Sequence, residues 1–181
     1  ELVKAGKVRH IGLSNETPWG VMEFVRCAEQ LGLPKIVSVQ NAYHLMNRTF
    51  ESGLAEVCHH VDVGLLAYSP LAFGHLTGKY LIDPHAHGRI TLYPNFGQRY
   101  NKPNVPAACR EYMHIAQASG LSPATLALAY ARTREFTTSV ILGATTLGQL
   151  QENLDSANVQ LSTEVLENIE AVHRRYPNPA P

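Results

Sequence analysis

Cysteine is scarce: Cys27, Cys58 and Cys109 are the three in the chain, odd in number and far apart. That spacing excludes a disulfide framework and matches no metal or redox motif, so reduced thiols in a cytoplasmic protein are the simplest reading. Net charge is also lacking, with 15 basic side chains against 15 acidic ones. A chain so balanced makes no electrostatic case for nucleic acid or for an anionic membrane. Long apolar runs are missing too, and none approaches the roughly 20 residues that a membrane-spanning helix needs. There is no G-x-G-x-x-G, which argues against a Rossmann dinucleotide site. Histidine is more plentiful, nine in all. Its clusters, His59-His60 and His85-Ala86-His87, have no Cys or carboxylate partners at ligand spacing, so they read as exposed loop or helix residues and no metal is expected. The chain opens "ELVKAGKVRH", without Met and without a signal peptide, in what reads as the last turn of a helix. An upstream segment is therefore expected.

What is present is an ordinary globular composition, 45% hydrophobic and 17% charged, enough for a sizeable core. Short apolar runs alternate with helical patterns. "VRHIGL" (8–13), "IVSVQ" (36–40), "VGLLAY" (63–68) and "SVIL" (139–142) read as strands. Helices are expected from Thr17-Pro18 to about Leu31, from about Phe50 to His60, from Pro106 to Ser119, after Ser122-Pro123, after Thr146, and from near Ser162. Strands this rich in Val, Ile and Leu suit a parallel sheet covered on both faces, and their alternation with helices means βαβ units. The expected class is α/β. A (β/α)8 barrel takes about 250 residues, so four strands and one long loop make about half a barrel. Such a half leaves both sheet edges unpaired; either another chain segment completes it or two halves pair. The long loop, 69–105, is punctuated by proline and glycine and shows little periodicity, which marks it as functional.

In α/β folds ligands bind at the carboxyl ends of strands. Here those ends carry Ser14-Asn15, Gln40-Asn41, Tyr68-Ser69-Pro70, and Gly143 followed by Thr145-Thr146. Each taken singly is more often a turn or helix-cap residue than a ligand. Together they offer amide donors and acceptors, an aromatic face and a helix start, which is what a dinucleotide uses: Asn15 and Gln40 for a carboxamide, Tyr68 for stacking, the helix after Gly143 for a phosphate. "GHLTGKY" (74–80) is not a P-loop, because it has one residue too few between its glycines and Tyr80 in place of Ser or Thr. A glycine loop with Lys79 suits a pyrophosphate, and it equally suits a solvated turn. In "VILGATTLGQLQEN" (140–153), Val140, Ile141 and Leu142 read as a buried strand. Leu147, Leu150 and Leu154 have the spacing of a core-facing stripe, while Gln149, Glu152 and Asn153 share another face. Solvent or a ligand explains that polar face, and Thr146 with Gln149 also fits a capping box.

The segments "GKVRHIGLSN", "YSPLAFGHLTGKY" and "VILGATTLGQLQEN", in order and with compatible spacing, resemble the aldo-keto reductase superfamily. The nearest branch is the one that holds potassium-channel β subunits and Tas-like bacterial reductases. The resemblance covers nearly the whole chain. It implies the C-terminal half, about strands 5–8, of a (β/α)8 TIM barrel that uses NADP(H) to interconvert carbonyls and alcohols.

By the same resemblance, the nicotinamide contacts fall on Ser14, Asn15 and Gln40, with Tyr68 stacking. The pyrophosphate loop falls on Ser69, Pro70, Leu71 and Gly74 through Lys79, including Leu76 and Gly78, and Arg89 reaches the adenosine phosphate side. The adenosine end falls on Gly143, Thr145, Gln149, Glu152 and Asn153. Many relatives carry arginine at the positions of Asn15 or Gln149; both are neutral here, so NAD(H) stays open beside NADP(H). The catalytic Tyr, Asp, Lys and His of the family lie on strands before residue 1, so the chain carries the cofactor-binding half without catalytic residues and is expected to be inactive alone. The substrate implied is a small aldehyde or ketone. The partner implied is the missing half of the barrel or a second copy. A different reading is a non-catalytic NADP(H)-holding module like a channel β subunit.

Overall fold

Three helix starts follow directly from local chemistry. The Thr17 hydroxyl accepts the Gly20 N–H at 3.1 Å and Pro18 takes the first helical position, opening α1 (Pro18–Leu31). Gly32, at φ 60°, closes it in the left-handed region that suits glycine. Ser122 caps α6 (Pro123–Arg132) by accepting the Thr125 N–H at 3.0 Å, and Ser162 caps α8 (Thr163–Arg175) through the Val165 N–H at 3.3 Å. The remaining helices are α2 (Leu54–His60), the single turns α3 (Lys79–Ile82) and α4 (Arg89–Leu92), α5 (Val105–Ala118) and α7 (Leu147–Asp155). The helix expected from Phe50 is broken: a 3-10 turn over Thr49–Glu51 precedes α2, because Gly53 at φ 86° interrupts the helical backbone. This computed structural model describes residues 1–93 and 95–181; Pro94, inside the 69–105 segment, lies outside the described residues.

The strands are β1 (Ile11–Ser14), β2 (Ile36–Ala42), β3 (Gly64–Tyr68) and β4 (Thr137–Val140). They form a parallel sheet in the order β1-β2-β3-β4, an α/β arc of the (β/α)8 kind. Val39, Leu65 and Ala67 turn to one face and are fully buried beneath the helices, against Val21, Phe50, Leu126 and Tyr130. Helix α6 is buried almost all round, from Ala124 to Ala131, which explains its unbroken apolar sequence. Segment 69–105 is less featureless than its sequence: 3-10 turns at Ala72–Thr77 and Gln98–Asn101 flank α3 and α4.

At the β4 edge the sequence misleads. The strand is Thr137–Val140 rather than 139–142, and Ile141 and Leu142, expected to be buried, are exposed. The stripe on α7 fails in the same way, since Leu147, Leu150 and Leu154 are 85%, 41% and 52% exposed. The physical reason is shared: β4 is an edge strand, and α7 packs on α6 through its Glu152–Asn153 side, turning the leucines past the edge. Leu147→Gln is therefore expected to change stability by less than about 0.5 kcal/mol in urea unfolding. A loss near 2 kcal/mol would put Leu147 in a core and contradict the packing.

Candidate functional site

The ends of β1, β2 and β3 converge on one hydrogen-bonded rim. Parallel register sets Ser14 beside Gln40, and Asn15, at φ 55°, donates its backbone N–H to the Gln40 carbonyl at 2.9 Å. The Tyr68 hydroxyl donates to Asn15 Oδ1 at 2.8 Å, and the Asn15 amide nitrogen donates to Ser14 Oγ at 3.2 Å. Asparagine tolerates the left-handed backbone better than most side chains, so residue type and geometry agree. Ser14, Asn15, Gln40 and Tyr68 thus meet across neighbouring strands. Asn41 was not expected to matter beyond its strand end. Its Oδ1 accepts the Glu16 N–H at 3.0 Å and its Nδ2 donates to the Glu16 carbonyl at 2.9 Å, which fixes the turn after β1.

Next comes a strap, residues 69–101, whose first turn is tightly wound: Ser69, Ala72, Phe73 and Gly74 have φ of 55°, 50°, 56° and 96°. Non-glycine residues in that region store strain, which persists where the surroundings hold it and clusters at ligand sites. Pro70 and Leu76 are buried, so their side chains serve packing. Gly78, at φ 79°, is pressed against the Met113 side chain. Lys79 Nζ donates to the His87 carbonyl at 3.1 Å and sits 4.9 Å from the Tyr80 ring centre. Arg89 lies over Phe73 and Phe96 at 5.3 and 5.8 Å, and those rings stack at 4.8 Å. Lys79 and Arg89 are thus held by their own strap, through a carbonyl and through aromatic faces.

At the β4 end, Thr146 Oγ1 caps α7 by accepting the Gln149 N–H at 3.2 Å. The Gln149 side chain does not complete a capping box on Thr146. Its Oε1 accepts from Thr145 instead, at 2.9 Å from the backbone N–H and 3.0 Å from the hydroxyl. Ser122 Oγ donates to Glu152 Oε1 at 2.5 Å, and Asn153, only 4% exposed, donates to the Gly143 carbonyl at 3.2 Å. The polar face of α7 therefore anchors the helix to α6 and to the loop it starts from. Thr145 is paired with Gln149 and Gly143 with Asn153, beyond the strand next in sheet order to the one carrying Tyr68.

Beneath the strap lies a buried group that residue spacing did not announce. His44, fully buried, faces the Tyr100 hydroxyl at 3.3 Å, and the His75 ring lies 5.0 Å from the Tyr100 ring. Burial, with the nearby charges of Arg99 and His75, pushes His44 down to about 3, and burial takes His75 to about 4. Both folded values lie below the ordinary 6.5, so the unfolded chain binds more protons once pH falls under that value. Stability is expected to decline from about pH 6.5 to about pH 3 and to be insensitive to these groups above pH 7. Urea unfolding at pH 7.5, 5.5 and 4.5 reads this directly, and replacing His44 and His75 together should flatten the slope.

A family model described as the aldo/keto reductase family matches residues 1–174. This chain belongs to the aldo/keto reductase family. Among relatives of this aldo/keto reductase chain, the protein named Protein tas from Escherichia coli (strain K12) is 50% identical over 182 residues, covering 100% of this chain and 52% of the relative. A protein named aldo-keto reductase from Babesia bovis is 39% identical, covering 98% of this chain and 65% of its own length. L-glyceraldehyde 3-phosphate reductase from Escherichia coli (strain K12) is 31% identical, covering 93% and 50%. The chain thus spans about half to two thirds of the length of these relatives.

Proposed function

We propose that this chain is the cofactor-holding part of an NADP(H)-dependent oxidoreductase that reduces small aldehydes or ketones and oxidises the corresponding alcohols. The observation that carries the reading is the rim in which Asn15, Gln40 and Tyr68 meet across three strand ends. Its donor set fits a nicotinamide: Asn15 and Gln40 offer both amide hydrogens and carbonyl oxygens to a carboxamide, and Tyr68 offers a ring face. When bound, the cofactor supplies the hydride. The chain's own residues bind and orient. Ser14, Asn15 and Gln40 would hold the nicotinamide carboxamide and so orient the cofactor. The strained turn at Ser69–Gly74 and the strap through Lys79 and Arg89 cover the pyrophosphate, and Gly143, Thr145, Gln149, Glu152 and Asn153 hold the adenosine end.

In this reading the acid that protonates the carbonyl oxygen, with its Asp, Lys and His supports, belongs to the part of the relatives' length that this chain does not span. The β1 and β4 edges and their exposed apolar side chains, Trp19 and Met22 on one flank and Leu147 and Leu150 on the other, are then the seams that meet it. None of Gly143, Thr145, Gln149, Glu152 and Asn153 is cationic, so NADH is the competitor to measure. NADPH and NADH fluorescence titrations of the chain, alone and joined to the upstream part, test the binding claim. Consumption of NADPH with a panel of simple aldehydes separates a reductase from a holding module. Absence of nucleotide binding by the joined protein would overturn the proposal.

A further inference from the structure

The loop that follows β2 is held by partners distant in sequence. His44 and Asn47 exchange backbone hydrogen bonds at 3.0 and 2.8 Å, closing a tight turn. His44 Nδ1 accepts the Met46 N–H at 3.2 Å, so in the neutral ring the proton sits on Nε2, which donates to Tyr100 Oη at 3.3 Å. Tyr100, 2% exposed, lies in the last turn of the strap. Its ring also meets Phe73 at 5.2 Å and His75 at 5.0 Å, both in the strap's first turn. One residue therefore ties the two ends of the strap to the β2 loop. On its other side the loop is gripped by the C-terminal tail. The Ala180 N–H donates to the Met46 carbonyl at 3.0 Å, and the Arg48 N–H donates to Asn178 Oδ1 at 2.6 Å. Pro179 and Ala180 are buried there, and Asn178 takes the left-handed φ of 45° that the contact requires.

We propose that His44 and Tyr100 are positioning residues, a clasp that closes the strap onto the β2 loop, and that Asn178–Ala180 hold the clasp's loop in register. The importance of the clasp for nucleotide rests on the cofactor reading above; its mechanics do not. His44 and Tyr100 satisfy each other's polar groups in a place closed to water, so lifting the strap breaks a buried hydrogen bond and uncovers an aromatic cluster at the same moment. That makes opening an all-or-none step rather than a gradual fraying. The tail beyond α8 has no secondary structure of its own, and its grip is made through backbone-directed hydrogen bonds to the loop bearing His44. Release of the tail frees the Met46 carbonyl and the Arg48 N–H, and the turn that aims His44 loses its support. The C-terminus thereby sets how readily the strap opens.

Hydrogen exchange of the 181-residue chain, read by mass spectrometry without nucleotide, tests the clasp. Tyr100→Phe removes one hydroxyl and keeps the ring, and is expected to speed exchange of amides 72–77 and 98–101 about tenfold while strand amides 36–42 and 64–68 keep their rates. His44→Leu should do the same. His44→Gln, which restores an N–H donor near Nε2, should return the strap to within about threefold of the parent. Asn178→Ala should loosen both the 44–48 loop and the strap. Unchanged strap exchange in Tyr100→Phe and His44→Leu overturns the proposal. So does a rise shared equally by the strands, which would make both residues ordinary core members. Repeating the measurement with NADPH separates the two claims. In the chain joined to the upstream part, strap amides that speed up in the variants but are not slowed by NADPH in the parent uphold the clasp and overturn the cofactor reading; slowing by NADPH with no effect of the variants does the reverse.

Discussion

Replacing Arg48 with methionine is expected to destabilise the chain by about 3 kcal/mol. The guanidinium is 5% exposed and makes paired contacts, at 2.8 Å to Glu51 and at 2.8 Å to Glu170, while lying 5.5 Å from the Tyr130 ring centre. Glu51 in turn accepts from the Tyr43 hydroxyl at 2.5 Å. Burial works against the charge of Arg48, and its hydrogen bonds to Glu51 and Glu170 outweigh that cost. Glu51 responds in the matching direction: burial opposes ionisation, but Arg48 and Tyr43 hold its carboxyl below the ordinary 4.5. Methionine fills much of the volume, leaves Glu170 without Arg48, and leaves Glu51, beside the Tyr43 phenol, with only the longer contact to Arg134 at 3.9 Å. Both carboxylates keep some access to water, which limits the loss. Urea unfolding measures the change, and Arg48→Lys should fall between, since lysine cannot form the forked contact. A loss under about 1 kcal/mol for the methionine variant would show that Arg48 is held by packing alone.

On the proposed cofactor reading, Tyr68→Ala is expected to weaken NADPH binding about thirtyfold, or about 2 kcal/mol, the scale of one base-to-aromatic stacking contact. The substitution also frees Asn15, whose Oδ1 is held by the Tyr68 hydroxyl at 2.8 Å. Tyr68→Phe separates the two effects, keeping the ring and losing only the hydrogen bond, and should cost about fivefold. Fluorescence titration of the two variants decides between them. Equal losses in both would assign the effect to Asn15 orientation, and no loss in either would remove Tyr68 from the site.

Some of this architecture is written locally. Thr17-Pro18, Ser122-Pro123 and Ser162 announce helices because a cap is a contact between residues three apart, and each cap is formed where its residue type suggests. The Val, Ile and Leu runs announce β2 and β3, whose neighbours on both sides are other strands of the same sheet. The rim was legible to the extent that strand ends were: Asn15, Gln40 and Tyr68 stand at the ends of three runs, parallel register sets Ser14 beside Gln40, and the Tyr68 hydroxyl reaches across to Asn15.

Other features depend on what lies beside an element, which no local pattern reports. The leucines of α7 have core spacing, but their helix follows an edge strand, and the stripe faces outward. Asn153 has the look of a ligand or a solvated residue; it is buried and donates to the Gly143 carbonyl, a contact no local pattern announces. His44 is an unremarkable residue in sequence; Tyr100, 56 positions away, makes it a buried hydrogen-bond partner. Helix starts, strand runs and the polar residues at strand ends can be read along the chain, because they depend on neighbours a few residues apart. Which apolar faces are covered, which polar groups hold one another and what closes the strap depend on partners that meet through chain closure over tens of residues, and only the folded arrangement reveals them.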